Sequence, residues 1–153
     1  ARRLVAGGSV AVVSRSVGEV RPIPLRMSDN LYRIGQEALA NAVRHARPTT
    51  LSIILEYKRN RVRLLVGDDG TGFVQGEELG GFGVLGMRKR AISISATLDI
   101  SSVLGGGTQV SVTAPLPPRL TFISSPRHLF KFLREHFSNA TAADPPHPHP
   151  YRG

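Results

Sequence analysis

Glu37, Asn41 and Arg44 or His45 stand three or four residues apart in the stretch 28–46, a spacing that stacks side chains on one face of a helix. A carboxylate, an amide and a cation in a row can line a site for a metal ion and a phosphate chain, although the same spacing also suits a solvated helix face. Three glycine-containing segments follow. Asp68-Asp69-Gly70-Thr71-Gly72-Phe73 falls at a strand end, Gly81-Phe82-Gly83-Val84-Leu85-Gly86-Met87-Arg88 where a helix begins, and Gly105-Gly106-Gly107-Thr108-Gln109-Val110 where the last strand begins. Glycines let the backbone approach an anion closely, and a helix start offers free N–H groups to a phosphate. An acid at a strand end can accept a hydrogen bond from an exocyclic amine. Any one of these segments alone reads as an ordinary turn.

The elements that must position these residues follow from periodicity. Leu31, Ile34, Ala38, Leu39, Ala42, Val43 and Ala46 form one apolar stripe of a helix capped by Ser28 or Asp29, with Pro48 just past its last turn. In residues 1–26, Val10, Val12 and Val13 mark the expected strand, and Pro22 and Pro24 break the pattern before the helix. Residues 50–57 and 61–67 are β-branched and apolar about a polar turn at Lys58-Arg59-Asn60, which predicts a hairpin. Residues 69–86 read as a long glycine-rich loop, of the kind that is usually functional or mobile. Residues 87–95 suit a short helix, and 96–102 and 109–114 two further strands joined across Gly105-Gly106-Gly107. This alternation predicts a two-layer α/β sandwich.

The chain of 153 residues, 41% hydrophobic, can bury one core, so a single domain is expected. No cysteine is present, which excludes disulfides, thiolate metal sites and cysteine nucleophiles. No apolar run approaches the ~20 residues that cross a bilayer, and no signal peptide is visible. A net charge of +9 attracts anions, but the arginines are spread along the whole chain and name no partner. Without interleaved aromatics for base stacking, direct nucleic-acid binding is not expected.

Taken together and in this order, the segments resemble the ATP-binding domain of the GHKL superfamily, with Glu37-x-x-x-Asn41 as the N box, Asp68-x-Gly70-x-Gly72 as the G1 box and Gly81-x-Gly83 as the G2 box. Gln36-Glu37-Ala38-Leu39, Asn41-Ala42, Arg44-His45-Ala46 and Gly86-Met87-Arg88 are similar to bacterial sensor histidine kinases. They look most like the short-lid subfamily whose partner response regulators carry helix-turn-helix output domains. The resemblance spans residues 28–114. It implies a Bergerat-type fold, a mixed sheet covered by helices on one face, that binds ATP and Mg²⁺. Asn41 would hold the metal, and Glu37 would orient a metal-bound water or assist proton transfer. Asp68 would accept from the adenine amine, with Thr108 on the same side of the pocket. Gly70 and Gly72 would let the lid fold. Gly81, Gly83 and the following helix start, with Val84 in place of the usual leucine and Gly86 ahead of Met87, would cradle the phosphates, and Arg44 or His45 would neutralise them.

On that footing the expected organisation is a strand region over 1–26, the ATP-binding catalytic domain over 27–116, and a C-terminal amphipathic helix and disordered tail over 117–153. The expected partners are ATP, a histidine-bearing dimerisation segment of the same kinase and a response regulator, in the cytoplasm, with a membrane-anchored parent chain left open. Residues 1–26 hold no histidine and no long helical pattern, so the phosphoacceptor is expected on a segment absent from this chain, which would then not autophosphorylate alone. The alternative is a non-enzymatic switch that sequesters a transcription factor under nucleotide control. His147 and His149 in a Pro-His-Pro-His-Pro run are expected to belong to the disordered tail rather than to a metal site.

Overall fold

The computed structural model describes residues 2–5, 10–74 and 81–116. The expected amphipathic helix and tail, with His147 and His149, lie outside the described residues. Among the described residues, eight regular elements occur in the order β1 (Arg2–Val5), β2 (Ala11–Val17), α1 (Leu25–Asn41), β3 (Thr50–Lys58), β4 (Arg61–Asp68), α2 (Phe82–Ser93), β5 (Thr97–Val103) and β6 (Gly107–Pro115), with a π-helical turn, Ala42–Ala46, appended to α1. The strands form one six-stranded sheet ordered β1-β2-β3-β4-β6-β5. β2 and β3 pair in parallel. The other four pairings are antiparallel.

Parallel neighbours cannot be joined by a tight turn and need a crossover element. α1 is that crossover for β2 and β3. β6 inserts antiparallel between β4 and β5, so α2 plays the same part for those two strands. Both helices lie on one face of the sheet and pack on each other, α1 also against β4 and β6 and α2 against β5. Alternation along each strand supplies the matching surface. Ile53, Leu55 and Tyr57 of β3, Val62, Leu64 and Val66 of β4, and Val110, Val112 and Ala114 of β6 are buried in one cluster with Met27, Leu31, Ile34, Ala38 and Leu39 of α1 and Met87 and Ala91 of α2. On the opposite face Arg63 bridges strands, donating from Nε to Ser111 Oγ at 3.0 Å and pairing with Glu56 at 3.9 Å.

The sandwich and both hairpins agree with the expectations, and four details differ. α1 starts at Leu25 rather than at Ser28, because Pro24 presents its carbonyl to the N–H groups of Met27 and Ser28 at 2.9 Å each. Neither Ser28 nor Asp29 caps it, and Ser28 Oγ instead donates back to Leu25 O at 2.8 Å. Val43, expected in the apolar stripe, is exposed, because the ladder widens into the π turn just after Asn41 and rotates the later positions. α2 starts at Phe82 rather than at Met87; Val84, Met87 and Ala91 keep a helical burial pattern that the glycines on either side had interrupted. β1 was not anticipated, and it pairs with β2 through Leu4 opposite Val12.

Candidate functional site

Register across the sheet brings together the first part of the site. Val66 of β4 faces Val110 of β6, and Val110 faces Ile100 of β5. Two residues further on, Asp68 stands opposite Thr108, and Thr108 opposite Ser102. Side chains two apart on a strand share a face. A row of three polar residues therefore crosses the end of the sheet on its helix-covered side, just beyond an apolar floor.

The turn that follows Asp68 is held on two sides. Asp68 Oδ1 accepts from Gly70 N–H at 2.9 Å, and Thr71 N–H donates to Ala46 O in the π turn at 2.8 Å. Gly105 N–H donates to Thr71 O at 2.7 Å from the β5–β6 turn. The glycines here are required by backbone: a Cβ on Gly70 would overlap Ala46 O, and one on Gly72, whose φ is +59°, would overlap Val103 O. Gly70 and Gly72 thus shape the turn and do not themselves line the cleft. Asp69, the next acid, points elsewhere. Its carboxylate accepts from the Thr49 hydroxyl at 2.6 Å and from the N–H groups of Thr49 and Thr50 at 2.8 Å each. The Thr49 hydroxyl bond first, then the Thr50 backbone bond, hold its pKa down at about 2.

The second part comes from the helices. Glu37 and Asn41, one turn apart and both half-buried, face the start of α2. Gly83 sits directly over them: a Cβ there would overlap Glu37 Oε1 and come within 3.4 Å of Asn41 Nδ2. The first helical bond of α2 runs from Leu85 N–H to Gly81 O at 3.1 Å, so the N–H groups of Phe82, Gly83 and Val84 precede the ladder. The π turn brings Arg44 and His45 to the same space, whereas a regular helix would carry consecutive residues about 100° apart.

Together these parts enclose a cleft of about 650 Å³. Glu37, Asn41, Arg44, His45, Asp68, Gly81, Gly83, Val84 and Thr108 all line it, as do Phe73 and Phe82 and an apolar floor of Val66, Ile100 and Val110. Gly86 does not; it opens on an adjoining groove of about 770 Å³ between α1 and α2, beside Arg33, Gln36 and Arg90. The floor residues, Phe73 and Ser102 were missed in the sequence. Phe73 could have been found, since it directly follows the G1 glycines. Nothing local marks Ile100 or Ser102, whose places depend on β5 pairing with β6.

A flat apolar floor with a carboxylate at its edge suits a nucleobase, and the volume lies within the range of small-molecule sites. The other end, with a carboxylate, an amide, a guanidinium, an imidazole and a free helix start, suits a polyphosphate and a hard cation. Among the described residues no three His, Cys, Asp or Glu side chains converge on a metal position. That donor set fits Mg²⁺, which takes one or two protein oxygens and draws the rest of its ligands from phosphate and water.

Fold and cleft thus define a nucleotide-binding α/β sandwich. Residues 27–118 match the family described as Histidine kinase-, DNA gyrase B-, and HSP90-like ATPase, and the chain belongs to that family. It is 38% identical over 93 residues to the Sensor histidine kinase LiaS of Bacillus subtilis, covering 60% of this chain and 26% of LiaS. It is 39% identical over 95 residues to the Sensor protein VraS of Staphylococcus aureus, covering 61% and 27%. The chain therefore spans only about a quarter of these relatives. Its fold is that of the histidine kinase domain of the Erythrobacter litoralis EL346 blue-light activated histidine kinase, with a TM-score of 0.60 at 23% identity over 72% of this chain and 53% of that one. The ATP binding domain of PrrB from Mycobacterium tuberculosis gives 0.54 at 22% identity over 69% and 81%. Among the described residues no helix is long and apolar enough to cross a membrane.

Proposed function

We propose that the chain is the ATP-binding catalytic domain of a two-component sensor histidine kinase, which holds Mg-ATP and presents its γ-phosphate to a histidine on another segment. The observation that carries this reading is the contact of Gly83 with the Glu37–Asn41 pair at one end of a single cleft, with Asp68 and Thr108 at the other. Asp68 and Thr108 orient the adenine edge, and Phe73 and the Val66–Ile100–Val110 floor shield the ring from water. Asn41 is the residue that would hold Mg²⁺, which when bound would neutralise charge on the phosphate oxygens. Arg44, His45 and the N–H groups opening α2 hold the phosphate chain in line with its acceptor. The Glu37 carboxylate also orients the incoming imidazole and holds its proton as the nitrogen attacks.

The phosphorylated histidine would then serve a response regulator in the cytoplasm, where ATP is supplied. Glu37 and Asn41 both face the cleft, so no feature favours a switch without chemistry. The test is transfer from labelled ATP to a histidine-bearing segment supplied in trans. Glu37→Gln should retain ATP and lose transfer by about 10²–10⁴-fold. Transfer at the wild-type rate by that variant would refute the assignment.

A further inference from the structure

Ser102 is buried, 7% exposed, and ends the polar row beside Thr108 without lining the cleft itself. Its hydroxyl makes three hydrogen bonds: Phe73 N–H to Ser102 Oγ at 2.9 Å, Ser102 Oγ to Gly107 O at 3.0 Å, and Ser102 Oγ with Thr108 Oγ1 at 2.9 Å. A serine hydroxyl has one proton to give and two lone pairs to receive. Gly107 O can only accept, so it takes the Ser102 proton. Phe73 N–H can only donate, so it occupies one lone pair. The remaining lone pair must take the proton of Thr108. The network closes only with Thr108 as donor to Ser102.

Thr108 has one proton as well, and it is directed away from the cleft. We infer that Ser102 fixes the polarity of the nucleobase end, leaving Thr108 Oγ1 to face the ligand as a hydrogen-bond acceptor only. Asp68 is the neighbouring group across the β4–β6 pairing, and a carboxylate is likewise an acceptor; its Oδ1 is engaged by Gly70 N–H. Two acceptors side by side match a base that offers an amine at that edge. They repel a carbonyl oxygen at that ring position, because neither group can supply a proton to it. Ser102 is thus a positioning residue for base selection, one that never touches the nucleotide. This rests on the nucleotide-binding reading above.

The discriminating pair is ATP and inosine triphosphate, which carry an amine and a carbonyl oxygen at the same ring position. Because the adjacent ring nitrogen changes too, from a bare acceptor to an N–H, purine riboside triphosphate, which keeps the bare nitrogen and lacks the amine, is titrated beside them. Affinity for each is measured by titration on the wild-type chain, Ser102→Ala, Ser102→Thr, Thr108→Val and the double variant Ser102→Ala/Thr108→Val. Freed from Ser102, the Thr108 hydroxyl can turn its proton to the carbonyl oxygen. The preference for ATP should therefore fall about tenfold in Ser102→Ala and persist in Ser102→Thr, which keeps the hydroxyl. In the Thr108→Val background, Ser102→Ala should leave the ratio unchanged, since no threonine proton remains to redirect.

An unchanged ratio in Ser102→Ala overturns the inference, as does an equal fall with and without Thr108, which would mean that Ser102 acts through Phe73 and the turn. Should Ser102→Ala fail to fold, Thr108→Val decides alone: removing one of the two acceptors should lower the ratio, and an unaltered ratio overturns the inference. Failure of the wild-type chain to bind ATP removes the nucleotide reading and this inference with it. ATP binding with a ratio indifferent to these variants removes the inference alone.

Discussion

The two ends of the cleft are built differently. At the base end, Asp68, Thr108, Ser102 and the Gly70–Gly72 turn are joined by hydrogen bonds of 2.7–3.0 Å to three separate elements. At the phosphate end, the described residues give no hydrogen bond or ion pair to the side chains of Glu37, Asn41, Arg44 or His45. Phe82 there is 95% exposed, and a Cβ on Gly81 would meet nothing within 4 Å. One end is organised before any ligand arrives; the other has its polar groups in place and open to be engaged by one. Recognition of a rigid ring suits the first. Capture of a flexible, highly charged chain, and the approach of an acceptor, suit the second.

Glycine substitutions break this contrast most sharply. Gly72→Ala places a Cβ against backbone at positive φ, so it should lower stability by about 2–4 kcal/mol and the midpoint of thermal unfolding by about 10 °C or more. A midpoint within about 2 °C of wild type would show that the base end is looser than described. Gly83→Ala meets only the ends of the Glu37 and Asn41 side chains and should leave the unfolding midpoint nearly unchanged. It displaces the Glu37 carboxylate, however, and transfer to a histidine-bearing segment should fall by about tenfold or more. A variant that is active but unstable would reverse the assignment of the two ends.

Ser95→Gly sharpens the comparison from outside it. α2 ends in a paired closure, with Ser95 N–H to Ile92 O at 3.0 Å and Ala96 N–H to Ala91 O at 2.9 Å, and Ser95 takes the left-handed conformation at φ 55°. Glycine there should add about 1 kcal/mol of stability, read by denaturant unfolding, with nucleotide affinity unaltered. Any change in affinity would mean that the far end of α2 communicates with the phosphate end.

The smallest effect concerns Asp69, which anchors the start of β3 beside the base end. Its pKa is lowered in the fold from 3.8 to about 2, so its contribution to stability is complete above about pH 4 and is lost as the pH falls towards 2. Asp69→Asn should therefore be less stable than wild type at neutral pH and converge with it near pH 2. A constant difference across that interval would assign the effect to something other than the carboxylate.

Much of this was legible in the sequence because the deciding signals are local. The alternation in residues 50–57 and 61–67 specified the central hairpin, and the 3.6-residue period of Leu31, Ile34 and Ala38 specified the face that α1 buries. The Glu37–Asn41 spacing placed both groups on the cleft side. What escaped depends on contacts between distant segments. The π turn at Ala42–Ala46 leaves no mark in composition, and the glycines around Phe82 and Val84 concealed the first turn of α2. Ser102 is one of several serines in residues 93–102, and only the β5–β6 register turns it towards Thr108.

The account depends most on Asn41, whose side chain serves the cleft and no described hydrogen bond of the fold. The direct test is calorimetric titration of ATP into the wild-type chain and Asn41→Ala, each with and without Mg²⁺. The wild-type chain should bind ATP more tightly with Mg²⁺ present, and Asn41→Ala should lose that Mg²⁺-dependent gain while keeping its unfolding midpoint. Equal ATP affinity in the two proteins, with and without the ion, would contradict the account.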